Sequence, residues 1–297
     1  MRITQPMIEL YDRFTHAGIG AGAGLSRREL MTGLARLAGN MAAAEAALGL
    51  MSGGAKAAPL SAPDDPALDI ANLSLPLATG RSMLAYRAQP RQGLAKAPKV
   101  LVIHENRGLT DHIRDVTRRL ALAGCVAVAA DFLSSAGGTP STGADAEDRA
   151  RSMIGALDMA ATVADGVATL AAIAALPGRA GAPAAMGFCW GGGMVNRLAV
   201  AAGSGLGAGI AYYGIAPDLA GVPAIRARML LHFAGLDERI NAAAPPYEAA
   251  MTAAGVRFAA HVYPGVNHAF NNDTSAARYD KAAADLAWAR SQAWIKG

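Results

Sequence analysis

The chain carries one cysteine in a setting that suits nucleophilic chemistry. Cys189 lies in Gly187-Phe188-Cys189-Trp190-Gly191, directly after the apolar run Ala184-Ala185-Met186 and before the stretch 192–200, which is rich in small residues. Strand, sharp turn and helix in that order form a nucleophile elbow, in which flanking glycines let the backbone turn tightly and present the nucleophile. Because free cysteines are more often buried as small hydrophobic residues, the interpretation depends on the residues downstream.

An acid and an imidazole follow the cysteine in the chain. Asp237 comes after the apolar run 230–234 and a glycine turn, and His268 follows a strand-like segment and the Pro264-Gly265 loop. Nucleophile, acid and histidine in this order are typical of α/β-hydrolases. All three residues come just after predicted strands, where open α/β sheets place their sites. The alternative for Asp237 alone is a turn or helix-cap residue.

These residue types suit acyl transfer. A thiol attacks as its thiolate, which a helix N-terminus and a nearby imidazole such as His268 stabilise. Asp237 would hold that imidazole in the useful tautomer. The backbone N–H of Trp190 is placed to bind the oxyanion, and we expect a second donor from Asn106, in the loop after the first core strand.

Four blocks of sequence resemble the dienelactone hydrolase family of α/β-hydrolases, over roughly residues 70–297. The blocks are His104-Glu105-Asn106-Arg107-Gly108-Leu109, the run 187–193, Gly235-Leu236-Asp237 and the run 263–270. The resemblance implies that Cys189 is the nucleophile, that His268 is the general base and that Asp237 orients it. It also implies that Glu105 contacts the resting cysteine.

Glu105 is the least ordinary member of this set. A carboxylate beside a thiolate disfavours its charge, so we expect Glu105 and Cys189 to share a proton until substrate binds. The alternative is a surface glutamate paired with Arg107 or Arg114.

The substrate-binding residues should differ from those of the family's best-known members. The resemblance implies two arginines that hold a substrate carboxylate, but the corresponding stretches 131–138 and 268–273 contain none. A charge-assisted contact of that kind contributes roughly 1.5–3 kcal/mol. We therefore expect neutral or differently charged esters, with Trp190 and Phe270 as apolar walls. Arg107 and Arg278 are the candidate substitutes for an anionic substrate.

The catalytic elements imply a parallel sheet. Apolar strand-like runs alternate with longer helical patterns, which predicts an α/β-hydrolase fold with a mostly parallel sheet and helices on both faces. The predicted strands are 100–104, 126–130, 184–188, 209–213, 229–233 and 257–263. The predicted helices are about 110–123, 145–175, 191–203, 244–255 and 275–295.

Composition narrows the function. A chain of 297 residues with 53% hydrophobic and 17% charged residues can bury one substantial core, so we expect one catalytic domain. The net charge of +4 comes from scattered basic residues, which argues against nucleic-acid binding. Cys125 lies at the entry to an apolar strand and is interpreted as a core residue. The spacing of His104, Glu105 and His112 is not that of a metal site, and no cofactor is predicted.

The N-terminal region differs in sequence pattern from the rest of the chain, which suggests three segments. Residues 1–52 are interpreted as a helical extension or a twin-arginine-like signal, 53–68 as a Gly/Pro-rich linker, and 69–297 as the catalytic domain. The segment Ser26-Arg27-Arg28-Glu29 resembles a twin-arginine export signal, with Ala55-Lys56-Ala57 as a candidate cleavage site. It fits a helix capping box equally well. The protein is accordingly expected in the cytoplasm or, if the signal is used, the periplasm.

Two further expectations concern membranes and function. No stretch reaches roughly 18 uninterrupted apolar residues, so no membrane-spanning helix is expected. The leading hypothesis is a cysteine hydrolase of small-molecule esters, lactones or thioesters that forms an acyl-enzyme, with the oligomeric state left open. The alternative from another class is a non-catalytic α/β-hydrolase fold used for binding or as a scaffold.

Overall fold

One sheet of eight strands organises the described part of the chain. The computed structural model describes residues 3–15, 25–52 and 59–297. The strands are β1 (Leu68–Pro76), β2 (Ser82–Pro90), β3 (Lys99–Ile103), β4 (Val126–Ala130), β5 (Ala184–Phe188), β6 (Ala208–Tyr212), β7 (Arg228–Ala234) and β8 (Phe258–Tyr263). Their order across the sheet is β1-β2-β4-β3-β5-β6-β7-β8.

The sheet is parallel wherever it carries the predicted site. Strands β3 to β8 are mutually parallel, whereas β1 and β2 form an antiparallel hairpin at one edge and β2 is antiparallel to β4. Met186 of β5 lies in the middle, paired with Val102 of β3 and Ile210 of β6. Because the carboxyl ends of parallel strands meet at one edge, the loops after β3, β5, β6, β7 and β8 come together there.

Helices cover both faces of this sheet, as the predicted α/β-hydrolase fold requires. The helices of the domain are α4 (Asp111–Leu122), α5 (Ala146–Gly155), α6 (Met159–Ala174), α7 (Trp190–Ala201), α8 (Glu238–Asn241), α9 (Ala244–Ala253) and α10 (Lys281–Lys296). One core cluster contains buried side chains of α5, α6, α7 and α9, and the other contains those of α4 and α10. Strands β3, β4, β5 and β6 are buried throughout, which explains why they read as continuous apolar runs.

Two parts of the fold differ from the sequence prediction. The predicted helix 145–175 is two helices, α5 and α6, that meet at a bend of 100°. Asp158 accepts a hydrogen bond from the N–H of Ala161 and so caps a new helix. The hairpin β1–β2 was not predicted, and it begins at Leu68.

Three helices precede the sheet: α1 (Gln5–Thr15), α2 (Arg27–Ala38) and α3 (Met41–Ser52). The capping box at the start of α2 is present, because Ser26 accepts from the N–H of Glu29 and donates its own N–H to the Glu29 carboxylate. The candidate cleavage site 55–57 lies outside the described residues. In the described ranges, no single helix is long and apolar enough to cross a membrane, and only the bent pair α5–α6 meets those criteria in combination.

Candidate active site

Cys189 occupies a sharp turn between β5 and α7. Its φ of 56° and ψ of −114° are strained for a residue with a side chain. A Cβ on Gly187 would lie 2.2 Å from the carbonyl oxygen of Gly191, and one on Gly191 would lie 2.4 Å from that of Ile103. Both positions therefore require glycine, because any side chain there would clash with the backbone at the turn.

Asp237 and His268 meet beside the elbow. Asp237 follows β7, and His268 lies in the loop after β8. The Nδ1 atom of His268 is 2.5 Å from Oδ2 of Asp237. The Oδ1 atom of Asp237 accepts from the N–H of Ile240, so this carboxylate contacts the imidazole of His268 and also caps α8.

The electrostatics couple these residues to the thiol. Burial alone would lower the pKa of His268, but the negative charges of Asp237 and Cys189, with hydrogen bonds to both, raise it to about 10. Burial would conversely raise the pKa of Asp237, whereas the charge and hydrogen bond of His268 lower it. The imidazole therefore bridges the carboxylate and the thiol.

Glu105 lies at the end of β3 and is buried, with 7% of its surface exposed, so it is not a surface glutamate. Its Oε2 atom accepts from Nδ2 of Asn272 at 2.7 Å. Asn272 is held in this orientation because its Oδ1 atom accepts from both the N–H and the hydroxyl of Thr274. The Oε1 atom of Glu105 has no hydrogen-bond partner among the described residues.

A small cavity of about 10 Å³ lies over the thiol. The described residues that line it are Glu105, Asn106, Arg107, Cys189, His268, Ala269 and Arg278. Glu105 and Arg107 also line a larger pocket of about 640 Å³. The catalytic candidates and both substitute arginines thus come together, and Asn106 lies beside them.

Trp190 and Phe270 do not line either space among the described residues, which corrects the expectation that they form apolar walls. The Trp190 ring stacks on His104, with ring centroids 5.4 Å apart. Phe270 is fully buried against Tyr213 and Tyr263. The backbone N–H of Trp190 remains a candidate oxyanion donor, because it belongs to the first turn of α7.

Arg107 and Arg278 both contact α1. Arg107 donates to the hydroxyl of Tyr11 at 3.1 Å, and Arg278 donates to the carboxylate of Asp12 at 3.1 Å. The predicted extension 1–52 is separated from these motifs in sequence by the linker 53–68, but in the structure its helix α1 contacts two of the candidate site residues. The linker itself also packs on the domain, since the buried Ser61 donates to the carboxylate of Asp115.

Sequence reasoning missed Tyr213, which follows β6. Its ring centroid is 4.8 Å from that of His268, and its φ is 39°. Burial raises the pKa of Tyr213 well above its ordinary value, and the negative charges of Glu105 and Cys189 raise it further. Its buried hydroxyl has no hydrogen-bond partner in the described part of the chain. Its position at the end of the strand beside the elbow strand could have marked it as a candidate.

Two further histidines, His232 and His112, have structural partners. His232 is hydrogen-bonded to Tyr263 and Ser291 through its two ring nitrogens, and burial keeps its pKa well below the ordinary value. His112 contacts Asp273 at 2.7 Å, which ties the loop that carries Asn272 to α4. Within the residues described, no group of three metal-binding side chains comes together.

Comparisons with known proteins identify the family of the chain. The profile of the dienelactone hydrolase family matches residues 83–297. The chain belongs to this family. It is 33% identical over 255 residues to a protein from Escherichia coli O157:H7 named "Putative carboxymethylenebutenolidase", covering 79% of this chain and 89% of the relative. A protein of the same name from Methylorubrum extorquens is 31% identical, with 71% and 76% covered.

A solved structure supports the family assignment. The protein titled a putative dienelactone hydrolase from Klebsiella pneumoniae is 27% identical, has a TM-score of 0.68, and covers 77% of this chain and 98% of its own. As a family member, the protein is a hydrolase that acts on ester or lactone bonds. Helices α1 to α3 precede the residues that the family profile matches.

Proposed function

We propose that the protein hydrolyses carboxylic esters, lactones or thioesters of small molecules through a cysteine-bound acyl intermediate. The observation that carries this proposal is the hydrogen-bonded series from Cys189 through His268 to Asp237. It sits at a strained elbow where parallel strands end. A cysteine that only filled the core would need neither the strained backbone nor the imidazole.

The first half-reaction transfers the acyl group to sulfur. With Nδ1 of His268 held by Asp237, the other ring nitrogen takes the thiol proton of Cys189. The sulfur bonds to the substrate carbonyl carbon, and the carbonyl oxygen becomes an oxyanion near the N–H groups of Trp190 and Asn106. The carbon–oxygen bond to the leaving group then breaks, and His268 returns the proton to the departing alkoxide.

Water completes the cycle. His268 takes a proton from water as its oxygen attacks the acyl carbon, and the carbon–sulfur bond breaks as the proton passes to sulfur. Glu105 lines the same small cavity as Cys189, so its carboxylate lies close enough to influence the resting cysteine. The hydrogen bond from Asn272 to Oε2 holds the Glu105 side chain in place for that role.

A matched pair of cysteine variants tests the nucleophile. Cys189→Ala should abolish turnover of 4-nitrophenyl acetate and labelling at the active site by iodoacetamide. Cys125→Ala is the control, because burial raises the pKa of Cys125 to about 11 and keeps it an unreactive thiol at neutral pH. Substantial turnover by folded Cys189→Ala protein would refute the cysteine mechanism.

A further inference from the structure

Helix α1 reaches the active site with two adjacent side chains. Tyr11 is fully buried, and its ring centroid lies 5.2 Å from the guanidinium carbon of Arg278. Asp12 accepts from Nη1 of the same arginine, and the Tyr11 hydroxyl accepts from Arg107. Both arginines line the cavity that contains Cys189. Residues of α1 are therefore in direct contact with the walls of the site.

The charge of Arg278 is balanced from within the chain. The side chains of Arg278 and Asp12 are only 5% and 23% exposed, so water reaches this ion pair only from the Asp12 side. The pair lies close to the reacting groups, because His268 and Asp237 both influence the charge of Asp12. A substrate carboxylate that approached Arg278 would meet an arginine already paired and the negative charge of Asp12 beside it.

The position of α1 is fixed by a small core of its own. The buried side chains shared by the three N-terminal helices are Met7, Ile8, Tyr11, Leu30, Leu34, Ala44, Ala47 and Met51. The far end of α3 is tied to the same loop as Arg278, since the carbonyl of Met51 accepts from Ser275 and from Arg278. On α2, Arg27 forms an ion pair with Asp148 of the catalytic domain.

We propose that α1 forms one wall of the active site and that Asp12 is a specificity-determining residue. By neutralising Arg278, Asp12 makes the site select esters and lactones whose acyl part carries no carboxylate. This inference rests on the proposed function, because it concerns the substrates of the same site. It is particular to the helices that precede the family-matched region.

The test compares two substrates that differ in one charge and one methyl group. We would measure kcat/KM for mono-4-nitrophenyl glutarate and for its methyl ester, and take the ratio of acid to ester. The wild-type ratio should lie well below one. In Asp12→Asn the ratio should rise by about tenfold or more, because a freed guanidinium gains a charge-assisted contact. Glu9→Gln, which removes an exposed carboxylate from the same helix, should leave the ratio unchanged.

The rise in the ratio of acid to ester in Asp12→Asn must depend on Arg278. In the double variant Asp12→Asn/Arg278→Gln the ratio should return to the wild-type value or below. A wild-type enzyme that prefers the acid would overturn the inference without any variant, which covers the case in which Asp12→Asn fails to fold. An unchanged ratio in folded Asp12→Asn would also overturn it.

The outcomes separate this inference from the proposed function. If Cys189→Ala keeps its turnover, the cysteine mechanism fails whatever the ratios show. If turnover requires Cys189 but the ratio does not respond to Asp12, only the role of α1 fails.

Discussion

The hydroxyl oxygen of Tyr213 should lower the stability of the folded protein and raise its catalytic activity. Its hydroxyl is buried without a hydrogen-bond partner in the described ranges, and a buried unsatisfied polar group costs about 1–3 kcal/mol. Tyr213→Phe removes only that oxygen and keeps the ring that contacts His268. We therefore expect the variant to be more stable than the wild type by about 1 kcal/mol or more, which corresponds to a rise in Tm of roughly 2–4 °C.

The same substitution, Tyr213→Phe, should lower the catalytic rate. Tyr213 is not among the described residues that line either cavity, but Glu105 and Cys189 both influence its ionisation, and we expect its hydroxyl to donate to an oxygen of the bound substrate. Removing one oxyanion donor typically costs about 10²–10³ in kcat. We expect at least a tenfold loss of kcat in Tyr213→Phe.

The neighbouring residue is the matched control. The hydroxyl of Tyr212 is 2.8 Å from that of Ser291 and points into the core, so Tyr212→Phe loses a hydrogen bond worth about 1 kcal/mol. It should be less stable and have nearly normal kinetics. Urea denaturation and steady-state assays of both variants measure the two effects. A destabilised Tyr213→Phe protein with normal kcat would refute the reasoning, since its hydroxyl would then have a structural partner.

Three further predictions concern the site and its support. Asp237→Asn and His268→Ala should each reduce kcat/KM greatly, but the double variant should cost little more than the worse single variant; additive losses would show that the two residues act separately. Gly191→Ala should give insoluble protein or a large drop in Tm, because its Cβ would lie 2.4 Å from a backbone oxygen; a normal Tm would contradict the packing. Deleting residues 1–58 should lower Tm, because Arg107 and Arg278 lose partners; an unchanged melting curve would show that α1–α3 do not dock.

The catalytic part of the site was accessible from sequence because it depends on local patterns. Strands β4 and β5 were predicted with the observed bounds, and β3, β6, β7 and β8 to within one residue, since buried parallel strands are short apolar runs. The ends of these strands then place Cys189, Asp237 and His268 at one edge of the sheet. Close backbone contacts require glycine at 187 and 191. Because these glycines can be read directly from the sequence, the sharp turn at Cys189 could be predicted.

The rest depends on contacts between distant parts of the chain. Asp12 is 266 residues away from Arg278, and no periodicity indicates that α1 returns to the loop after β8. The partner of Glu105 is likewise Asn272, 167 residues away, rather than the nearby Arg107. The apolar character of Phe270 suggested a pocket wall, but an apolar residue satisfies a core position equally well.

Cleavage of the N-terminal segment would change the substrate specificity proposed above. The residues that resemble a twin-arginine signal form the folded start of α2, with a complete capping box, and α2 packs against the helix that carries Asp12. Removal of the segment up to the candidate cleavage site 55–57 would take away Asp12 and Tyr11 together. Arg278 would then lose its ion pair with Asp12, whereas Arg107 would keep its ion pair with Glu147, so Arg278 would become the arginine available to an anionic substrate. The same catalytic domain would thus prefer neutral esters with α1 retained and carboxylate-bearing esters without it. Measuring the mass of the mature protein would show whether α1 is retained and therefore which class of ester to expect as substrate.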